Sequence, residues 1–151
     1  MTPPASSAPG EISFPLTGAC GCGTVRYEIT EPFVSASYCH CTRCQRRTGA
    51  SASANGRAAP GSFRIIAGEE RLRAWRPDDG FEKWFCGDCG SAIFSRDPND
   101  HDAVGVRLGT LDDDPAIRPS YRQFVAYAVP WEDIPDDGLT RYPEGRRQPS
   151  D

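Results

Sequence analysis

Hydrophobic and polar residues alternate with period two along much of this 151-residue chain. The clearest stretch is 24–30, where Val25, Tyr27 and Ile29 interleave with Arg26, Glu28 and Thr30. That is the pattern of a strand with one buried face. Val104, Val106 and Leu108 repeat it. Further extended segments are predicted at 33–38, 50–54, 62–66, 71–75, 81–86, 91–95 and 121–129. Turn residues separate them. Pro32 ends the first strand, and Asp78-Asp79-Gly80 reads as a hairpin turn. The polar run 97–102 reads as a loop, with His101 a solvated residue in it, and 111–115 as a turn. Residues Trp131 to Ile134 read as a short turn packed by the tryptophan. One helical turn is predicted, over 42–47, capped by Gly49. The sum is a mainly β domain of antiparallel sheets with short helical turns. It spans 12–142, between a flexible N-terminal segment 1–11 and a flexible tail 143–151, and the chain should be loose from Asp136 on.

Composition narrows the function classes. Hydrophobic residues make up 38% of the chain, on the low side, so cross-links by metal would usefully add folding free energy. The net charge of −4 gives no global attraction for nucleic acid. No apolar stretch approaches the roughly 20 residues a membrane helix needs. The start of the chain has neither the basic region nor the apolar run of a secretion signal. The expectation is a cytoplasmic protein without membrane contact.

The chemistry lies in seven cysteines in three groups: Cys20/Cys22, Cys39/Cys41/Cys44 and Cys86/Cys89. Thiolates at such spacings suit zinc. Structural zinc takes four protein ligands, and catalytic zinc usually takes three and keeps one position open. Cys20, Cys22, Cys86 and Cys89 would make the closed site, and Cys39, Cys41 and Cys44 the open one. Four thiolates leave a zinc site at −2 and three leave it at −1, so the second ion is the better Lewis acid. A rival pairing joins the central trio to one other cysteine but splits an evident pair. A disulfide framework fits poorly with an odd cysteine count and a reducing compartment. His40 is a candidate ligand or acid/base, but in an extended Cys39-His40-Cys41 the two cysteines share a face and His40 points away, which favours a hydrogen-bonding or exposed role.

These motifs resemble one family. Gly18-x-Cys20-x-Cys22-Gly-x-Val25-x-Tyr27, Cys39-His-Cys41-x-x-Cys44 with Gly49, and Phe85-Cys86-x-x-Cys89-Gly-Ser-x-Ile93 are similar to the glutathione-dependent formaldehyde-activating enzymes. Gly109-Thr-Leu-Asp112 and the Trp131 stretch extend the likeness across 18–142. The resemblance implies a zinc-binding β-tent fold and the same division of ligands. It implies a carbon–sulfur lyase that forms or cleaves S-hydroxymethylglutathione, or a related adduct of another small thiol and aldehyde. One stretch departs from the family pattern. A His-hydrophobic pair commonly follows the proline equivalent to Pro119, and here the residues are Ser120-Tyr-Arg122-Gln123.

Glutathione carries two carboxylates, so cations should stand near the open site. Arg43, Arg46 and Arg47 are the candidates, because arginine offers a planar fork to a carboxylate. Trp84 could line a pocket, or equally pack in the core or over the structural zinc. The competing class is a non-catalytic zinc module that binds protein or nucleic acid. An enzyme should show a concavity opening onto the central cysteines. A binding module should show that cluster closed, or on a flat basic face.

Overall fold

The computed structural model of the chain describes residues 1–5 and 12–146. The core of the expected N-terminal segment, 6–11, and the end of the tail, 147–151, lie outside the described residues. Eleven strands are present among them. In chain order they are β1 (Leu16–Ala19), β2 (Arg26–Ile29), β3 (Ser35–Cys39), β4 (Ser53–Arg57), β5 (Phe63–Ala67), β6 (Leu72–Trp75), β7 (Glu82–Cys86), β8 (Ala92–Asp97), β9 (Asp100–Arg107), β10 (Tyr121–Gln123) and β11 (Thr140–Arg141). The α-helix, α1, covers Thr42–Thr48. The mainly β expectation is met.

The strands form two sheets, one of three strands in the order β1-β2-β5 and one of eight in the order β11-β10-β3-β4-β9-β8-β7-β6. Pairing is antiparallel except around β10, which runs parallel to both β3 and β11. Both strands are reached by long connections rather than hairpins, which is what parallel pairing requires.

Alternation assigns the two faces of the large sheet. Phe94 stands opposite Val106, and Val106 opposite Gly56. This row faces the small sheet, and Phe94 and Val106 are buried. Val25, Tyr27 and Ile29 are fully buried from the other side. A ladder of rings crosses the interface: Tyr27 to Phe63 at 5.3 Å, Phe63 to Phe94 at 4.7 Å, and Phe94 stacked on Trp84 at 5.7 Å. Trp84 therefore belongs to the core. The opposite face of the large sheet carries Lys83, Ser95, Gly105, Arg107 and Asn55, one residue out of step with the apolar row.

Tyr27 also ties the small sheet to the end of β9. Its hydroxyl lies 2.7 Å from Thr110 Oγ1, which donates to the Arg107 carbonyl at 2.7 Å. Gly18 makes room for the ring, since a Cβ there would come within 2.2 Å of Tyr27 Cζ. The Gly18, Tyr27 and Gly109-Thr110 motifs thus act together to fix the position of Arg107.

Several expected boundaries shift. β1 was not foreseen. The strand expected at 50–54 lies at Ser53–Arg57. The polar run 97–102 is a hairpin in which Asp97 pairs with Asp100, so much of it is strand. Asp97 and Asp100 side chains accept backbone N–H groups two residues on, which holds the turn. Leu108 enters a 3-10 turn, and only Tyr121–Gln123 of the long segment 121–129 is strand. The stretch from Asp136, expected to be loose, carries β11. Beyond it, Phe124 and Ala126 N–H groups donate to the Glu144 and Pro143 carbonyls.

Candidate functional site

Two turns of similar build bring the first four cysteines together. Cys20-Gly-Cys22-Gly23 follows β1, and Cys86-Gly-Asp-Cys89-Gly90 begins on the last residue of β7. Each ends on a glycine of positive φ, 78° at Gly23 and 79° at Gly90, which a side chain would strain. The four Sγ atoms lie within 4.8 Å of one another. Cys20 to Cys22 is 3.6 Å and Cys22 to Cys86 is 3.9 Å. Polar neighbours converge on the sulfurs. The Val25 N–H donates to Cys20 Sγ at 3.2 Å. Ser91 Oγ lies 3.3 Å from Cys89 Sγ and accepts the Gly21 N–H at 2.7 Å, so one hydroxyl joins both turns. The Ser91 hydroxyl holds the Cys89 thiol down to about 6. Burial pushes Cys86 up to about 11.

Cys39 ends β3, Cys41 caps α1, and Cys44 lies in the first turn of that helix. Their three Sγ atoms also fall within 4.8 Å of one another. Cys41 Sγ accepts the Cys44 N–H at 3.3 Å. Gly49, at φ 67°, closes the helix as its left-handed cap. Hydrogen bonds from the Cys39 and Cys44 thiols, and from the Cys44 and Arg43 N–H groups, hold Cys41 far below the usual thiol range. Cys39 is pushed well above it by the Cys41 and Cys44 thiols and by burial.

This second group opens onto a cavity of about 380 Å³. Its walls include all three cysteines, Arg43, Lys83, Arg107, Phe81 and Phe124. The residues come from β3, β4, α1, β7, β8, β9 and β10, gathered by the register of the large sheet. Arg107 donates to Asn55 Oδ1 at 2.8 Å and to Ser95 Oγ at 2.7 Å. Both acceptors are neutral, so among the described residues its charge has no carboxylate partner. Burial lowers its affinity for its proton, and the Cys44 thiol opposes that shift. Phe124 holds a φ of 57° at the cavity wall. Such backbone costs of order 1 kcal/mol for a bulky residue.

Of the three arginines read from the sequence, Arg43 lines the cavity. It is held there by Asp79, whose carboxylate and carbonyl accept at 2.9 and 3.0 Å, and it lies over Trp75. Arg46 is exposed. Arg47 lies over the Phe85 ring, and its Nε is buried without a partner. Neither Arg46 nor Arg47 is among the residues lining this cavity. The lining cations that sequence reasoning missed are Lys83 and Arg107, which no motif near the central cysteines announces.

His40 points to the other side of the sheet. It is buried, with Nε2 3.2 Å from Arg122 Nη1, and Asp137 pairs with Arg122 at 2.8 Å. Burial and the Arg122 charge lower its pKa. The divergent stretch noted in the sequence thus supplies Arg122 to His40 on one face of β10 and Gln123 to the cavity on the other. His101 is exposed, on β9.

The family model described as glutathione-dependent formaldehyde-activating enzyme matches residues 15–127. The chain belongs to that family, and its architecture is the β-tent. A Halomonas elongata protein, provisionally named a glutathione-dependent formaldehyde-activating enzyme, is 27% identical over 66% of this chain and 67% of its own length. A Sordaria macrospora protein of the same provisional name is 24% identical over 65% of this chain, which spans only 44% of that relative. A crystal structure of a Rhodobacter sphaeroides protein shares the fold, with TM-score 0.55 and 23% identity over 83% of this chain and 98% of its own. Among the described residues, no helix is long and apolar enough to cross a membrane.

Proposed function

We propose that this chain is a zinc-dependent carbon–sulfur lyase, which forms or cleaves the adduct of formaldehyde with glutathione or another small thiol. The single observation that carries the reading is a cavity that opens onto three clustered thiols and carries cations without carboxylate partners. A concavity at the central cysteines is what separates an enzyme from a zinc module with a closed cluster.

The donor sets fit zinc. Tetrahedral zinc, with Zn–S near 2.3 Å, separates its sulfurs by about 3.8 Å, and Cys20, Cys22 and Cys86 are spaced at 3.6 and 3.9 Å. Cys20, Cys22, Cys86 and Cys89 would hold a structural zinc, and Cys39, Cys41 and Cys44 a labile one. When bound at the trio, zinc supplies a Lewis acid that keeps a thiol deprotonated and polarises a carbonyl. All seven cysteines are free, which suits a reducing cytoplasm.

The rest of the chemistry belongs to the chain. Arg107 draws a carboxylate-bearing thiol toward the cysteines through a fork that matches carboxylate geometry, with Arg43, itself paired with Asp79, beside it. Phe81 and Phe124 wall the site and limit water. Gly105 leaves open space above the sheet where a side chain would intrude. Holding thiol and aldehyde side by side reduces the entropic cost of joining them. Arg46 and Arg47 contribute as part of the basic helix beside the site rather than as lining groups.

Exchange NMR tests this. With protein present, S-hydroxymethylglutathione should interconvert with glutathione and formaldehyde faster than without it, and Cys41→Ser should remove the gain. An unchanged rate with fully zinc-loaded protein would reject the reading.

A further inference from the structure

The chain holds sixteen arginines and a single lysine, Lys83. Where it needs only positive charge it uses arginine, as at Arg26, Arg43, Arg64, Arg76 and Arg118, each in an ion pair. Lys83 is placed differently. It is half-buried on β7, pairs across the sheet with Ser95, and lines the cavity shared by the three cysteines. Among the described residues its amine has no hydrogen bond and no ion pair. Its neighbours are the Phe81 ring, 6.0 Å from Nζ, and the charged groups whose fields reach it. Those are the cations Arg43, Arg47 and Arg107 and the Cys44 thiol, with Asp79 already engaged by Arg43. Burial, and then repulsion from Arg107, disfavour its charged form, with Cys44 opposing.

An anion anchor would be served better by the residue this chain uses everywhere else. Lysine differs from arginine in one chemical respect that matters here: its amine can lose its proton and attack a carbonyl. We propose that Lys83 is a catalytic amine that captures the aldehyde as an imine beside the three cysteines.

The inference rests on the thiol–aldehyde reading of the same site. The Nζ lone pair forms a C–N bond with the carbonyl carbon, and the C=O π pair moves to oxygen. That oxygen takes one proton from nitrogen and one from solvent and leaves as water, giving a protonated imine. The substrate thiolate adds to the imine carbon, and the C=N pair returns to nitrogen. Nitrogen takes a proton and departs with the C–N bonding pair as the sulfur stabilises the cationic carbon. Water adds to that carbon and loses a proton. The net reaction joins aldehyde and thiol as a hemithioacetal, regenerates the amine, and needs no oxidant or reductant.

A sole lysine makes the test clean, because the folded chain offers two kinds of amine only, Lys83 and the N-terminus. The zinc-loaded protein is treated with formaldehyde and cyanoborohydride at pH 7, and methylation is mapped by peptide mass spectrometry. An ordinary lysine, with a pKa near 10.4, reacts more slowly than an α-amine near 7.7–8.0. The proposal requires Lys83 to be methylated at least as fast as the N-terminus. In parallel, Lys83→Arg, which keeps the charge, should slow thiol–aldehyde exchange by roughly tenfold or more with zinc content unchanged. Methylation of the N-terminus first, or exchange at the wild-type rate in Lys83→Arg, overturns the proposal. If Lys83 is methylated first but the wild-type protein does not accelerate exchange, the capture stands and the lyase reading falls.

Discussion

The two cysteine clusters are equally compact, yet they join different things. Cys20 and Cys22 follow β1 of the small sheet, Cys86 ends β7 of the large one, and Cys89 follows it. That cluster ties one sheet to the other through residues 64 or more positions apart. Cys39, Cys41 and Cys44 lie within six consecutive residues on one strand end and one short helix. Their cluster joins almost nothing that the sheet does not already hold, and its free side faces a cavity. A metal held by the first arrangement would give cohesion, because it would close a long loop. The second gives exposure, because three thiols from one segment leave the remaining direction open to the cavity.

The sharpest way to break this contrast is to cut one ligand from each cluster. Structural zinc contributes about 10–16 kcal/mol in small zinc peptides, comparable with the whole 5–15 kcal/mol stability of a typical domain. Cys86→Ser should therefore show no cooperative thermal transition in circular dichroism. A Cys86→Ser protein that melts within a few degrees of wild type would refute the cohesive role. Cys41→Ser keeps a helix cap, because a serine hydroxyl can accept the same Cys44 N–H, and should lower Tm by no more than about 2–4 °C while losing one zinc. Collapse of Cys41→Ser would make both clusters structural.

A smaller effect sharpens the reactive side. Arg107→Met removes a charge whose hydrogen bonds to a substrate carboxylate would be worth about 1.5–3 kcal/mol. KM for glutathione should rise about tenfold or more, while a thiol without carboxylates, such as 2-mercaptoethanol, should be much less affected. Equal changes for both thiols would show that Arg107 shapes the site rather than reads the substrate.

The smallest effect lies on the cohesive side. Tyr27→Phe deletes the hydrogen bond to Thr110, about 1 kcal/mol, and should lower Tm by about 2–4 °C. Burial raises the Tyr27 pKa well above its ordinary value near 10. Such a group contributes stability that is complete below the unfolded value and is lost as pH rises beyond it. Urea unfolding above pH 10 should thus steepen with pH in wild type more than in Tyr27→Phe.

The cysteine clusters were legible because their spacing is local and their chemistry narrow. Groups of four and three cysteines could be partitioned by counting. The buried faces of β2 and β9 were legible for the same reason, since Val25, Tyr27 and Ile29 carry their pattern in adjacent positions. The cavity wall was not. Lys83, Ser95, Gly105 and Asn55 become neighbours only through the register of four strands, and register depends on the whole sheet. Arg107 looked like one more polar residue between Val106 and Leu108. β1 was hidden because Gly18 reads as turn chemistry, whereas its lack of a side chain admits the Tyr27 ring. The segment from Asp136 was misread because its order comes from pairing with β10 and not from its own composition.

The most direct test is stepwise removal of zinc, followed together by native mass spectrometry and circular dichroism. Gentle chelation of a protein carrying two zinc ions should first produce a one-zinc species that keeps the native spectrum, with Cys39, Cys41 and Cys44 newly open to alkylation. Only the second loss should unfold it. Simultaneous loss of both ions, or unfolding at the first loss, would contradict the division between a cluster that holds the sheets and a cluster that does chemistry.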